Sequence, residues 1–361
     1  MNRREFLIST SVAGGVVLIG GCQSENQKSV NIIKKEKIVL NLATSWPAHF
    51  PILGTAVDYF AKKIDELSGG ALNIKIHAKN SLIPALEVFD ATSRGLIDGF
   101  HSGPYYWKGK NSAFGLIGGF PFGFTQNEMS AYLMFGGGYE LWRELYAKHN
   151  LMPFMGGGTD IQMGGWYKKP INSLHDLNGL KMRIPGIAGE VVSKVGVSPI
   201  LLPAGEIYQA LERGIIDATE WVGPALDLMM KFYQVAPYYY TGWHEPGSML
   251  EFTFNKATFE KLPKEFQTMI EMTSHESHSR MVYEMQTKNS QSLEKLNEFK
   301  IEIKEYPLDV MNGVKKAFLD VIDEQCSKSG DFKKVWESCE KFLDINRKWT
   351  KIGLHNYLNI R

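Results

Sequence analysis

A few charged and aromatic residues stand where this sequence is otherwise apolar or turn-forming, and their types suit the holding of ions better than the making of bonds. Arg183 lies in a short strand-like run, Leu180 to Ile184, closed at once by Pro185-Gly186. Its guanidinium therefore sits near the carboxyl end of a strand, where open α/β sheets bind ligands. A planar, permanently charged fork matches a carboxylate bidentately, which lysine cannot do. The alternative is an arginine that reaches solvent or pairs with a structural glutamate. Glu251 interrupts an apolar, β-prone stretch (Met249, Leu250, Phe252, Phe254), and a carboxylate there needs a partner to offset desolvation. A hard cation would serve. Glu220 and Trp221 form a second pair, open to the plainer reading of a surface carboxylate and a core tryptophan. Tyr105, Tyr106 and Trp107 follow a Gly-Pro turn. There they either pack on a lobe surface or cover the apolar end of a ligand and give a hydroxyl to its oxygen.

Patterns that announce catalysis are missing or misplaced. The runs Gly136 to Gly138 and Gly156 to Gly158 form neither GxGxxG nor a phosphate-loop lysine motif, and no serine has the GxSxG setting. His275 and His278 flank a glutamate that is misplaced for HExxH. Forty basic against 39 acidic residues give no field for nucleic acid, which is excluded as a partner. Beyond Cys22 only Cys326 and Cys339 remain, 13 apart, with no CxxC. In an oxidising compartment they could bridge or stay free.

The elements that must position these residues come in two copies. Residues 84–99 (PALEVFDATSRGLIDG) recur at an offset of 119 as residues 203–218 (PAGEIYQALERGIIDA), with 8 of 16 positions identical. Each copy predicts a helix ending at Arg-Gly, then a β-type run (Leu96 to Asp98, Ile215 to Asp217), then a Gly-Pro pair (Gly103-Pro104, Gly223-Pro224). The copies agree up to Asp98 and Asp217 and diverge directly after, at His101-Ser102 and Glu220-Trp221. Specialised ligand loops would produce that pattern. Two such units present loops to each other across a cleft, the usual seat of a small ligand.

Strands over Lys37 to Thr44 and Ala71 to His77, with a helix from Thr55 to Leu67 stopping at Gly69-Gly70, make a parallel βαβ unit. The fold class is therefore α/β, two-lobed, like periplasmic binding proteins, with strands crossing the hinge and long C-terminal helices. Residues 37–160 with about 250–290 form one lobe, and 161–249 with about 298–331 the other. Residues 332–361 are a helical extension. Its Trp336, Phe342, Trp349, Ile352 and Tyr357 predict burial against a second subunit, giving a homodimer, with folding back on its own lobe as the alternative.

Residues 1–22 read as an address. Arg3-Arg4 precede an apolar stretch, Val12 to Ile19, too short to span a bilayer. The tetrad Ile19-Gly20-Gly21-Cys22 resembles a bacterial lipobox, with Cys22 the lipidated residue, and the twin arginine resembles a Tat signal. Residues 23–36 are polar and read as a tether. The expected location is periplasmic, attached to the membrane by lipid only.

Taken with the doubled unit, the segments Ala43-Thr44-Ser45-Trp46-Pro47, residues 179–186 (GLKMRIPG), residues 217–221 (DATEW) and the strand Met249 to Lys256 resemble the solute-binding proteins of TRAP transporters. Glu220-Trp221 with Gln162 upstream resembles the branch that binds 2-oxo acids such as pyruvate, or lactate, with a metal ion. The resemblance covers roughly residues 37 to 340. It implies a receptor that performs no chemistry. Arg183 would hold a monocarboxylate, with Gln162, Tyr105, Tyr106 and Trp221 around it. Gln162, Glu220, Glu251 and the Trp221 carbonyl would make an all-oxygen set for sodium or calcium, with Glu245 in reserve. Membrane subunits of the transporter would recognise the closed form. The competing expectation is a two-lobed enzyme with Glu220 as general base, and a third is a sensory or scaffold subunit without a ligand.

Overall fold

The computed structural model describes residues 37–361. The leader, Cys22 and the tether expected over 23–36 lie outside the described residues. Among the described residues eleven strands follow in chain order: β1 (Ile38–Thr44), β2 (Leu72–His77), β3 (Gly99–Ser102), β4 (Leu151–Gly157), β5 (Gly165–Tyr167), β6 (Lys181–Arg183), β7 (Ser198–Ile200), β8 (Ala218–Thr219), β9 (Tyr238–Tyr240), β10 (Leu250–Asn255) and β11 (Glu302–Lys304). They form a five-stranded sheet, β2-β1-β3-β10-β4, and a six-stranded sheet, β11-β9-β5-β8-β6-β7. In the first sheet β1 runs parallel to β2 and β3, while β10 runs antiparallel to β3 and β4. In the second, β6, β7 and β8 are parallel and β5 is antiparallel to β8 and β9. Each sheet with its helices is a lobe, I and II in that order.

The chain passes between the lobes in segments 158–164 and 241–249 and again along the helix Lys264–Leu296. That helix packs on β4 and the helix Leu53–Leu67 of lobe I, and on the helix Pro224–Met230 of lobe II. The two short crossings lie against each other. A Cβ on Gly242 would stand 1.7 Å from the Gln162 carbonyl oxygen, so only glycine permits the approach.

The doubled sequence is a doubled structure. Helices Val88–Ser93 and Ile207–Glu212 are followed by Gly95 and Gly214 with φ of 74° and 72°, the left-handed stop that glycine allows. The expected strands begin later than the pattern indicated, at Gly99 and Ala218. Asp98 and Asp217 instead serve as staples: each carboxylate accepts from a backbone N–H of a neighbouring strand, Asn41 at 2.7 Å and Lys181 at 3.0 Å. The apolar residue before each Asp, Ile97 or Ile216, is buried, and the one before that, Leu96 or Ile215, is exposed. Strand entry is thus set by a carboxylate-to-backbone bond that hydrophobic periodicity does not register.

The C-terminal helix Gly330–Thr350 divides the expectation for the tail. Its Phe332, Val335, Cys339 and Leu343 are buried in its own chain. Trp336 packs on Phe120 and Phe318, and Phe342 on Phe124 and Tyr132. Those two residues fold back on their own chain, against the expectation that they face a partner. Trp349, Ile352 and Tyr357 are exposed, at 70%, 68% and 56%. Cys326 and Cys339 are free thiols, not a bridge, and burial pushes the Cys339 thiol up to about 12.

Candidate functional site

Lobe II brings charge to the cleft. Arg183 ends β6, whose neighbours β7 and β8 fix its backbone on both sides, and its side chain is fully buried. Nη1 donates to the Glu220 carboxylate and, at 3.1 Å, to the Glu220 carbonyl oxygen. Nε donates to the Leu202 carbonyl oxygen at 3.3 Å, and Nη2 to the Tyr106 hydroxyl at 3.4 Å. Guanidinium has five N–H groups. Four are engaged, and the remaining one lies on the Nη2 edge beside Tyr106. The Trp221 ring centroid lies 5.3 Å from the guanidinium carbon. His244 Nε2 stands 3.2 Å from the other Glu220 carboxylate oxygen.

The crossing segments supply Gln162 and Glu245. Gln162 N donates to the Glu245 carbonyl oxygen at 3.1 Å, while its Nε2 donates to the Glu245 carboxylate at 2.7 Å and to Thr159 Oγ1 at 2.8 Å. Gln162 Oε1 is buried without a partner. Burial pushes the Glu245 carboxyl well above its ordinary range, and the nearby Glu220 charge pushes the same way while Arg183 opposes it. Two buried carboxylates thus face one guanidinium, with an amide oxygen unsatisfied. A hard cation answers both deficits, and the donors are all oxygens. Among the described residues no group of three or more His, Cys, Asp or Glu side chains is set for a metal. An ion here would take amide and carbonyl oxygens beside Glu220 and Glu245.

Lobe I supplies the cover. Tyr105 and Tyr106 stand on the single turn Pro104–Trp107 that follows β3, and they line the cavity with Trp46, Leu53 and Leu250. Burial raises both phenols above their usual range. Arg183, Gln162, Glu220, Trp221, Glu245, Tyr105 and Tyr106 all line this one cavity.

Glu251, expected in the ion set, does not line this cavity. Side chains alternate along β10, so Leu250 faces the cavity and Glu251 the opposite face. Its Oε1 accepts from Trp107 Nε1 at 2.9 Å and Tyr146 OH at 3.0 Å, and its Oε2 from Thr253 Oγ1 at 2.6 Å. Burial still pushes it up to about 7. Glu245 occupies the cavity position instead. Sequence reasoning also missed His244, Trp46, Leu53 and Leu250. Trp46 lay inside a quoted motif, and His244 adjoined the reserve residue Glu245. Nothing local marks Leu53 or Leu250, since apolar residues in a helix or strand read as core.

Two lobes joined by crossing segments, with a guanidinium, carboxylates and aromatic cover converging between them, define a solute receptor. The chain belongs to the DctP family, the bacterial extracellular solute-binding proteins of family 7, whose model matches residues 42–329. It is 36% identical over 362 residues to the monocarboxylate 2-oxoacid-binding periplasmic protein of Nostoc sp., covering 99% of this chain and 98% of that one. A TRAP periplasmic solute-binding protein from Colwellia psychrerythraea, solved with bound calcium and pyruvate, matches with a TM-score of 0.88 at 40% identity, over 90% of this chain and 99% of that one. One from Pseudoalteromonas atlantica, solved with sodium and pyruvate, gives 0.89 and 40%, over 90% and 100%. The two-lobed α/β expectation agrees with these folds. The family is one of transport receptors rather than enzymes, so Glu220 has no role as a catalytic base. Among the described residues no helix is long and apolar enough to cross a membrane.

Proposed function

We propose that this chain captures a small monocarboxylate 2-oxo acid, such as pyruvate, or a 2-hydroxy acid such as lactate, together with sodium or calcium. The observation that carries the reading is the meeting of Arg183, Glu220 and Glu245 with an unpartnered Gln162 oxygen in one buried cavity. The free Nη2 edge of Arg183 and the Tyr106 hydroxyl receive the ligand carboxylate. Gln162 Oε1, the Glu220 and Glu245 carboxylates and the Trp221 carbonyl hold the ion. When bound, the ion neutralises the excess carboxylate charge and attracts the keto or hydroxyl oxygen. Tyr105 covers the carbon tail. Calorimetric titration of pyruvate into chelated, dialysed protein, with and without added cation, tests this. Binding should be strongly cation-dependent, and equal affinities in both would remove the ion from the account.

The proposal extends to assembly. Cys22 carries lipid after the leader is removed, and the closed form is read by TRAP membrane subunits. The exposed Trp349, Ile352 and Tyr357 of the tail support a homodimer, since apolar surface of that extent seldom stays open. Sedimentation with and without residues 345–361 separates the cases. A full-length monomer at micromolar concentration would defeat the dimer, and labelled fatty acid retained by Cys22→Ser would defeat the anchor.

A further inference from the structure

The loop from Trp46 to Leu53 holds a backbone conformation that β-branched residues avoid. Ile52 has φ 67° and ψ −64°, and Leu53 N donates back to the Pro51 carbonyl oxygen at 2.8 Å. This is a γ-turn of the strained hand, centred on a buried isoleucine. It stands at the N-cap of the helix Leu53–Leu67, where no side chain caps the first turn and a Ser, Thr or Asp would be ordinary. The loop has little freedom to relax. Gly54 N donates to the Phe50 carbonyl oxygen at 2.7 Å, and a Cβ on Gly54 would come within 3.1 Å of the Pro47 oxygen. Strain held in place by its surroundings is commonly a mark of function. Its immediate product is the placement of Leu53 in the cavity wall.

The rest of that wall is fixed more conventionally. Trp46 Nε1 donates to His101 Nδ1 at 2.8 Å, and His101 Nε2 donates to the Gly156 carbonyl oxygen at 3.0 Å. Leu250 sits in β10 beside β4. Moving either would leave buried donors or ladder bonds unpaired. Apart from the Tyr106 hydroxyl beside Arg183, the polar groups of the cavity come from lobe II or the crossing segments, so the ligand's carbon tail meets Trp46, Leu53, Leu250 and Tyr105 on the lobe I side.

We propose that Leu53 sets the length of tail the cleft accepts, admitting 2-oxo acids with methyl or ethyl tails and refusing branched or longer ones. The inference rests on the 2-oxo acid reading above. One methylene in an apolar pocket changes selectivity by about tenfold or more, which makes a single wall residue measurable.

The test is calorimetry, with cation present, of wild type, Leu53→Ala, Leu53→Val and Leu53→Phe against pyruvate, 2-oxobutyrate, 3-methyl-2-oxobutanoate and 4-methyl-2-oxopentanoate. Thermal melts confirm folding, and Leu53→Val carries the test should the alanine variant not fold. Wild type should favour pyruvate and 2-oxobutyrate over the branched acids by about tenfold or more. Leu53→Ala should raise the affinity for the branched acids relative to pyruvate by about tenfold, and Leu53→Phe should lose 2-oxobutyrate before pyruvate. An unchanged ranking in variants that still bind pyruvate overturns Leu53 as the gauge and leaves the 2-oxo acid reading intact. No binding of any of the four acids by wild type overturns both.

Discussion

Lobes I and II each bury one carboxylate against a tryptophan and a tyrosine, yet they deliver different things to the cleft. In lobe I, Glu251 accepts from Trp107 and Tyr146. In lobe II, Asp227 accepts from Trp166 at 2.9 Å and Tyr239 at 2.8 Å, and also from the Val222 backbone N–H at 3.1 Å. Burial raises both groups to about 7. Trp107 adjoins Tyr105 and Tyr106, and Val222 adjoins Glu220 and Trp221. Each buried carboxyl therefore anchors a ligand loop from behind, one aromatic and one charged. Lobe II with the crossing segments supplies the charged groups for the polar end of the ligand, and lobe I adds the Tyr106 hydroxyl and closes an apolar wall over the rest.

The largest effect belongs to lobe II. Arg183→Ala leaves a carboxylate without its fork, so affinity for pyruvate should fall by about 2 to 5 kcal/mol. Arg183→Lys should restore only part, because an ammonium cannot keep the bonds to the Glu220 and Leu202 carbonyl oxygens while also donating to the ligand. Near wild-type affinity in the alanine variant would return Arg183 to the role of structural partner for Glu220.

Glu251 should act on stability, not on the ion. Its folded value near 7 lies above the ordinary 4.5, so the folded state keeps a proton that the unfolded state gives up as pH rises. No penalty exists below about 4.5; it accumulates up to about 7 and then stays constant, reaching about 3 kcal/mol. Glu251→Gln keeps the shape and cannot ionise. Its stability relative to wild type should therefore rise by about that amount across the window, read by denaturant unfolding at a series of pH values. Parallel profiles would show that the carboxyl is not raised. Glu245→Gln should do the converse, weakening the ion and with it pyruvate by about 10- to 100-fold, through linkage. Were Glu251→Gln to weaken the ion and Glu245→Gln to spare it, the two glutamates would exchange roles.

The legibility of these residues in the sequence follows from how local their signals are. The repeat exposed the paired units because Arg-Gly stops and apolar spacing are written within a few residues. Arg183 was findable from Pro185-Gly186 directly after it. Glu251 was findable as an oddity among apolar residues, but its destination depended on which face of β10 meets the cavity, and a one-residue alternation decides that. Three donors supplied by Trp107, Tyr146 and Thr253 satisfy it, two of them distant in sequence. The tail was misjudged in part because helical spacing shows an apolar face without showing what covers it. Leu53 was invisible, since a γ-turn leaves no compositional trace.

The smallest effect expected is at the rim, where the two lobes touch through charge. Lys108, just beyond the Tyr105–Trp107 turn of lobe I, pairs with Glu190 of the lobe II helix Gly186–Lys194 at 2.5 Å, and Gln325 Nε2 donates to the other Glu190 oxygen at 2.7 Å. Both side chains of the ion pair remain about a third exposed, at 30% and 31%. Pairs of that kind contribute about 0 to 1 kcal/mol and are screened by salt. If the pair helps hold the closed form, Lys108→Ala should weaken pyruvate binding by no more than about fivefold at low salt. The gap from wild type should shrink toward zero at molar salt, where the screening length is about 3 Å. Ion binding should not change, because neither residue lines the ion site. A loss that persists at high salt would mean that Lys108 acts by packing against the neighbouring tyrosines, and closure would then depend on the aromatic wall alone.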